Sequence, residues 1–132
     1  MSELAVYVHM PFCKQKCYYC DFVSFSKEDH RIDEYMDFLI KEMNWYKPYL
    51  DGYSVKTIFI GGGTPSYVEA KHIKRIIEFI RENYNAENVE EITVEANPGT
   101  LNREKLIFYK EAGVNRISLG VQTLNDKLLK SI

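Results

Sequence analysis

Three cysteines stand within one short run, Cys13-Lys14-Gln15-Lys16-Cys17-Tyr18-Tyr19-Cys20, and they are the only cysteines of the chain. Three thiolates so close together can grip one metal centre and leave it a ligand short. An iron left open in this way can bind a small molecule and pass it an electron. The spacing therefore points to an iron–sulfur cluster with one exchangeable site. Two other readings stay open on these residues alone. Cys13, Cys17 and Cys20 also fall at helical spacing and could form a small apolar stripe in a core. With His9 they would make a closed Cys₃His zinc site, although zinc sites usually pair their ligands across two knuckles and the sequence has no second knuckle.

Other residues could serve the same chemistry. Gly61-Gly62-Gly63-Thr64-Pro65-Ser66 follows an apolar run. Glycines after a strand let backbone approach a ligand closely, and a following helix offers unpaired N–H groups to an anion. The bland alternative is a flexible turn; the run is neither a P-loop nor GxGxxG. Glu95 could accept bonds from a ribose or an amine, or could be a solvated strand end. The Gln122 amide could serve a ligand or tie down a turn. His9 reads as a strand residue that a core could satisfy, and His30 and His72 read as surface helix residues. Most of the ten tyrosines sit at helical spacing and read as core.

The elements that must position these groups alternate along the chain. Residues 5–9 read as a first strand. A helix follows over residues 32–46, with Ile32, Tyr35, Met36, Leu39, Met43 and Tyr46 on one face. Pro48 and Asp51-Gly52 break it. Residues 56–60 read as a second strand. Ser66 and Glu69 have capping-box spacing and open a second helix, with Ile73, Ile76, Ile77, Ile80 and Tyr84 inward. Residues 91–95 form a third strand. A third helix starts near Asn102, with Leu106, Tyr109 and Ala112 inward and Gly113 as its stop. Residues 115–119 form a fourth strand, and a fourth helix begins near Asn125.

Strands alternating with amphipathic helices imply an α/β fold with parallel strands. About four βα units make a wedge of a (βα) barrel, whose full eight-unit form needs roughly 250 residues. The expectation is therefore one incomplete domain over residues 1–132, with an open sheet edge at which the chain could self-associate. In parallel sheets ligands bind at the C-terminal strand ends, and the cysteine run, the glycines, Glu95 and Gln122 all follow or end strands.

Composition sets the outer limits. A net charge of −2 gives no nucleic-acid footprint, and the 45% hydrophobic share suits a packed globule. No stretch approaches the ~20 apolar residues of a membrane span. The first residues lack the pattern of a signal peptide. Three clustered cysteines make a poor disulfide framework and suit a reducing cytoplasm.

The chain resembles the radical S-adenosylmethionine superfamily, whose signature is three cysteines with intervals of three and two residues. Further segments resemble that superfamily's oxygen-independent coproporphyrinogen III oxidase-like group, and within it the haem-chaperone branch most. These are Tyr7-Val8-His9-Met10-Pro11-Phe12-Cys13, Cys20-Asp21-Phe22, the stretch from Thr57 to Ser66, Glu95-Ala96-Asn97-Pro98-Gly99-Thr100, and the stretch from Gly113 to Gln122.

The resemblance implies that Cys13, Cys17 and Cys20 each ligate one iron of a [4Fe-4S] cluster. The fourth iron would bind the amine and carboxylate of S-adenosylmethionine, whose cleavage on reduction releases a 5′-deoxyadenosyl radical. Tyr7 and Tyr19 would pack around cofactor and cluster. Gly62, Gly63 and Thr64 would bind the methionine part, and Glu95 and Gln122 the rest. Haem or a porphyrin would be the further ligand, and a flavodoxin or ferredoxin the electron donor.

Two departures set the chain apart from the oxidases of the group. They carry a Cys-x-Cys ending where this chain has Cys20-Asp21-Phe22, and they have a longer N-terminal segment. Both favour the haem chaperone over oxidative decarboxylation of propionate side chains. Because members of the group are much longer, this chain is expected to be the N-terminal part of the barrel. Cluster binding should survive the shortening, whereas turnover by this part alone should not.

Overall fold

The structure is a computed structural model that describes residues 1–13, 25–26, 29–120, 125 and 127. Its strands are β1 (Ser2–Met10), β2 (Phe12–Cys13), β3 (Phe25–Ser26), β4 (Tyr53–Gly62), β5 (Glu91–Ala96) and β6 (Arg116–Leu119). Its α-helices are α1 (Ile32–Tyr46), α2 (Ala70–Asn83) and α3 (Arg103–Ala112). Among the described residues β1, β4, β5 and β6 form one parallel sheet in that order, while β2 and β3 make a separate short parallel pair. Chain order equal to sheet order, with a helix in each of the three connections, is the wedge of a (βα) barrel expected from the alternation.

Register divides the sheet into two chemistries. Val8, Ile60, Val94 and Ile117 are paired in one row across all four strands. Ile117 packs half-buried against the hydrophobic core, to which Val8, Ile60 and Val94 belong with Met36 and Met43 of α1 and Ile73, Ile76, Ile77 and Ile80 of α2. Each of those α2 isoleucines is withdrawn from water completely, which contributes up to about 1.5–3 kcal/mol per side chain. The neighbouring row, Tyr7, Phe59, Thr93 and Arg116, points to the opposite face because side chains alternate along a strand. Aromatic and polar groups thus collect on one face, and the core lies on the other.

Several elements differ from their expected form. β1 and β4 run beyond both expected ends and β5 one residue beyond its end, because a ladder continues wherever a partner strand is present, whereas β6 starts one residue later than expected. Ser66 and Glu69 do not form a capping box. The second helix starts at Ala70, with Glu69 as its cap residue and no side-chain capping bond. Ser66 instead lies fully buried in a 3₁₀ turn, Pro65–Tyr67, and finds its partners in the loop after β5. A buried hydroxyl needs those bonds more than a solvated helix end needs a cap.

His72 is not a surface residue: it is 7% exposed, between α2 and the Asp33 carboxylate of α1. His30 is exposed, as expected. Leu106 and Tyr46, expected inward, are 42% and 44% exposed. Nor are the tyrosines mostly core. Tyr109 is buried, whereas Tyr7, Tyr46, Tyr49 and Tyr53 are exposed. Gly113 stops α3 in the left-handed region, and Asn102 caps its start, both as expected. The expected fourth helix falls on residues outside those described, apart from Asn125 and Lys127.

Candidate functional site at the C-terminal strand ends

Cys13 is buried directly beyond β1, where its backbone pairs with Ser26. The glycine run packs against this same stretch. The Gly63 amide donates to the Met10 carbonyl at 2.8 Å, and the Thr64 amide donates to the Phe12 carbonyl at 2.7 Å. A Cβ on Gly63 would lie 2.6 Å from the Phe12 carbonyl oxygen, which no side chain tolerates. The run is glycine first because the chain leading to the cysteines crosses it in van der Waals contact. Sequence reasoning gave the glycines a reason in a ligand or in a flexible turn; the contact with β1 is a long-range one and has no local signal.

Glu95, at the end of β5, accepts from the Gly62 amide at 3.1 Å. A Cβ on Gly61 would stand 2.3 Å from the same carboxylate oxygen. The carboxylate therefore lies over the glycine backbone and depends on its lack of side chains. Tyr7 stands on the same face of the sheet. Its ring stacks on Phe59 with centroids 6.0 Å apart and is 57% exposed. Its hydroxyl is 3.0 Å from His9 Nδ1. Desolvation raises the Tyr7 phenol pKa above its ordinary value, and the charge of Glu95 raises it further.

The structure thus brings Tyr7, Cys13, Gly62, Gly63, Thr64 and Glu95 to one rim, at the C-terminal ends of β1, β4 and β5. Cys17, Tyr19, Cys20 and Gln122 lie outside the described residues. Among the described residues no three His, Cys, Asp or Glu side chains converge on a metal position. The donors present nevertheless fit a cluster with a cationic co-ligand. A buried thiol stands at the rim, and a half-buried carboxylate held over bare glycine backbone leaves a cradle with no Cβ in it.

Sequence reasoning missed Tyr67 at this rim and the tertiary role of Ser66. Tyr67, in the turn after the glycines, donates its hydroxyl to the carboxylate of Asp29, which follows the cysteine run in sequence. Its pKa is raised, by that bond first and in part by the nearby Cys13. Ser66 Oγ accepts from the Asn97 amide at 3.1 Å and bonds the Thr100 hydroxyl. A Ser with no hydrophobic periodicity around it carries no sequence signal for a tertiary role.

A parallel βα wedge with a thiol, a glycine cradle and a carboxylate at its strand ends defines a class. The sequence pattern of the Radical SAM superfamily matches residues 7–132, and the chain belongs to that superfamily. Its relatives include the haem chaperone HemW of Buchnera aphidicola (subsp. Schizaphis graminum), 42% identical over 133 residues, an alignment that covers 100% of this chain and 35% of the relative. The HemW of Lactococcus lactis is 44% identical over 128 residues, covering 97% and 33%. Among solved structures, the coproporphyrinogen III oxidase HemN of Escherichia coli, a radical SAM enzyme, superposes with a TM-score of 0.88 at 32% identity, covering 98% of this chain and 30% of that one. The chain spans about a third of the length of these relatives. Among the described residues no helix is long and apolar enough to cross a membrane.

Proposed function

We propose that this chain is the part of a haem chaperone that binds a [4Fe-4S] cluster and S-adenosylmethionine. The single observation that carries the reading is the meeting of Cys13, the glycine cradle and Glu95 at one rim of a parallel sheet. Cys13, Cys17 and Cys20 hold the cluster. When bound, the cluster supplies the electron for reductive cleavage of the sulfonium. Everything else falls to the chain.

The Gly62–Thr64 backbone and Glu95 receive the polar groups of the nucleotide, and Glu95 places a negative charge where a cationic amine or sulfonium gains from it. Tyr7 covers the rim with an aromatic face and limits access of water. Tyr19 and Gln122, which follow β2 and β6 in sequence, complete the contacts. Haem is the cargo. Two points support the chaperone over an oxidase: the relatives named HemW, and Asp21-Phe22 after Cys20, where the oxidases of the group carry a further cysteine.

The test is anaerobic reconstitution of this chain and of Cys17→Ala. The expected result is iron and inorganic sulfide with visible thiolate-to-iron absorbance in the parent, and loss of both in the variant. If Cys17→Ala keeps its full iron and sulfide, the ligand assignment fails; a colourless protein that takes up zinc instead supports a structural zinc site. In the full-length protein, haem retention and transfer supports the chaperone, whereas consumption of coproporphyrinogen supports the oxidase.

A further inference from the structure

Lys105 stands where four local preferences oppose it. Asn102 caps α3 by accepting from the Lys105 backbone amide at 2.7 Å. At that position a Glu or Gln is favoured, since its side chain can reach back to the cap, and a cation there faces the positive end of the helix dipole. The ammonium is also partly withdrawn from water, which lowers its pKa against the opposing charge of Glu69. Finally, Lys105 takes the inward row with Tyr109 and Ala112, and Leu106 is turned out to solvent. Local rules broken together at one residue mark a functional or strained position.

The bonds of the ammonium account for the choice. Lys105 Nζ donates to the Ser66 carbonyl at 2.5 Å and to the Thr100 carbonyl at 3.1 Å. Ser66 follows the Gly62–Thr64 loop. Thr100 closes the 3₁₀ turn Pro98–Thr100 that follows β5, the strand bearing Glu95. The Asn97 amide and the Thr100 hydroxyl, both bonded to Ser66 Oγ, join the same two loops. A compact ammonium with three donors can satisfy carbonyls from two different loops, which a carboxylate or an apolar side chain cannot do.

We propose that Lys105 is a positioning residue for the cofactor cradle: it ties the glycine loop to the turn after β5 and so fixes the spacing between the Gly62–Thr64 backbone and the Glu95 carboxylate. What the cradle holds rests on the proposed function; the tie itself does not.

The experiment compares Lys105→Met, Lys105→Arg and Val55→Ala in this chain. Methionine keeps the unbranched stem and removes the donors; arginine restores charge and donors. Val55 is buried near the other end of β4, so its truncation lowers stability without touching the loops. Amide hydrogen exchange is read first, on the protein without cofactors. Lys105→Met should speed exchange at the Gly62 and Asn97 amides by roughly tenfold or more, Lys105→Arg by less than about threefold, and Val55→Ala should show no selective effect there.

Affinity of the reconstituted protein for S-adenosylmethionine is read second, by calorimetry. It should fall about tenfold in Lys105→Met and recover to within about threefold of the parent in Lys105→Arg. Parent-like exchange in Lys105→Met, an equal effect of Val55→Ala at these amides, or no recovery with arginine would overturn the proposal. If the parent binds no S-adenosylmethionine while Lys105→Met still exchanges selectively, the cofactor reading falls and the tie stands.

Discussion

Gly62 and Gly52 both hold positive φ, +116° and +88°, but in different surroundings. That makes them a matched pair for measuring what the cradle demands. Replacing either with alanine puts a Cβ into a backbone region that L-residues avoid, at a cost of about 1–2 kcal/mol. At Gly52 nothing lies within 4 Å of the new methyl group, so that strain is the whole effect. At Gly62 the methyl would stand 2.8 Å from the Met10 carbonyl oxygen and 2.9 Å from the Met10 nitrogen.

Those atoms are backbone, and Met10 is held in place by the Gly63 amide, so relief requires β1 and β4 to part at their ends. Overpacking of this kind adds about 1–3 kcal/mol. Gly62→Ala should therefore cost about 2–5 kcal/mol in all, and exceed Gly52→Ala by about 1–3 kcal/mol. The assay is urea unfolding of the cluster-free chain at 25 °C. With a slope of about 1–3 kcal/mol per molar urea, a 2 kcal/mol difference separates the two midpoints by roughly 1 M. Equal midpoints would show that β1 does not press on the glycine loop, and the close-approach argument would fail with them.

Two further predictions concern buried rings. Burial lowers the His72 pKa below its ordinary value, outweighing the opposing pull of Asp33, so the unfolded chain binds the proton more readily. His72 stability is then fully present above about pH 6.5 and lost as pH falls from there toward the folded pKa; His72→Gln should flatten that acid limb in thermal melts, and an unchanged limb would refute it. Tyr109 buries a hydroxyl with no hydrogen-bond partner among the described residues, and burial pushes its pKa up to about 12. Tyr109→Phe should leave stability at neutral pH unchanged or raise it by about 0–1 kcal/mol, read as an equal or higher melting temperature, and it should remove the stability loss that begins in the parent as pH rises past about 10.

The elements were legible where their signal is local and repeated. The bounds of α1 followed from apolar positions three and four residues apart, the start of α3 from Asn102, and its end from Gly113. The meeting of the site residues at strand ends followed from topology, since parallel strands send all their C-terminal ends the same way.

What stayed hidden depends on a single step of rotation or on distant partners. Each residue turns a helix by about 100°, so a stripe that includes Leu106 and one that includes Lys105 differ by one position. Only the Ser66 and Thr100 carbonyls decide between them. Ser66 offered a local cap at Glu69, but its actual partners stand in the loop after β5. His72 stands next to Ile73 and four residues before Ile76, at the edge of the apolar stripe, and whether such an edge position is covered depends on how α1 packs.

The two faces of the sheet also separate stability from chemistry. The row Val8, Ile60, Val94 and Ile117 meets the helices, and its burial supports the fold. One residue further along each strand come His9, Gly61, Glu95 and Ser118, none of them large and apolar. A carboxylate and a glycine at that level contribute little burial, and a charge half withdrawn from water costs something unless it is bonded. The Gly62 amide meets that cost within the chain itself. Glu95 is therefore oriented before any cofactor arrives, and binding under the proposed function would not have to order it. A cradle assembled in advance binds more tightly than one that must form around its ligand. The same bond explains why Glu95 cannot be read as a solvated strand end: its acceptor is aimed at the backbone of the neighbouring loop, across bare glycine that leaves it room.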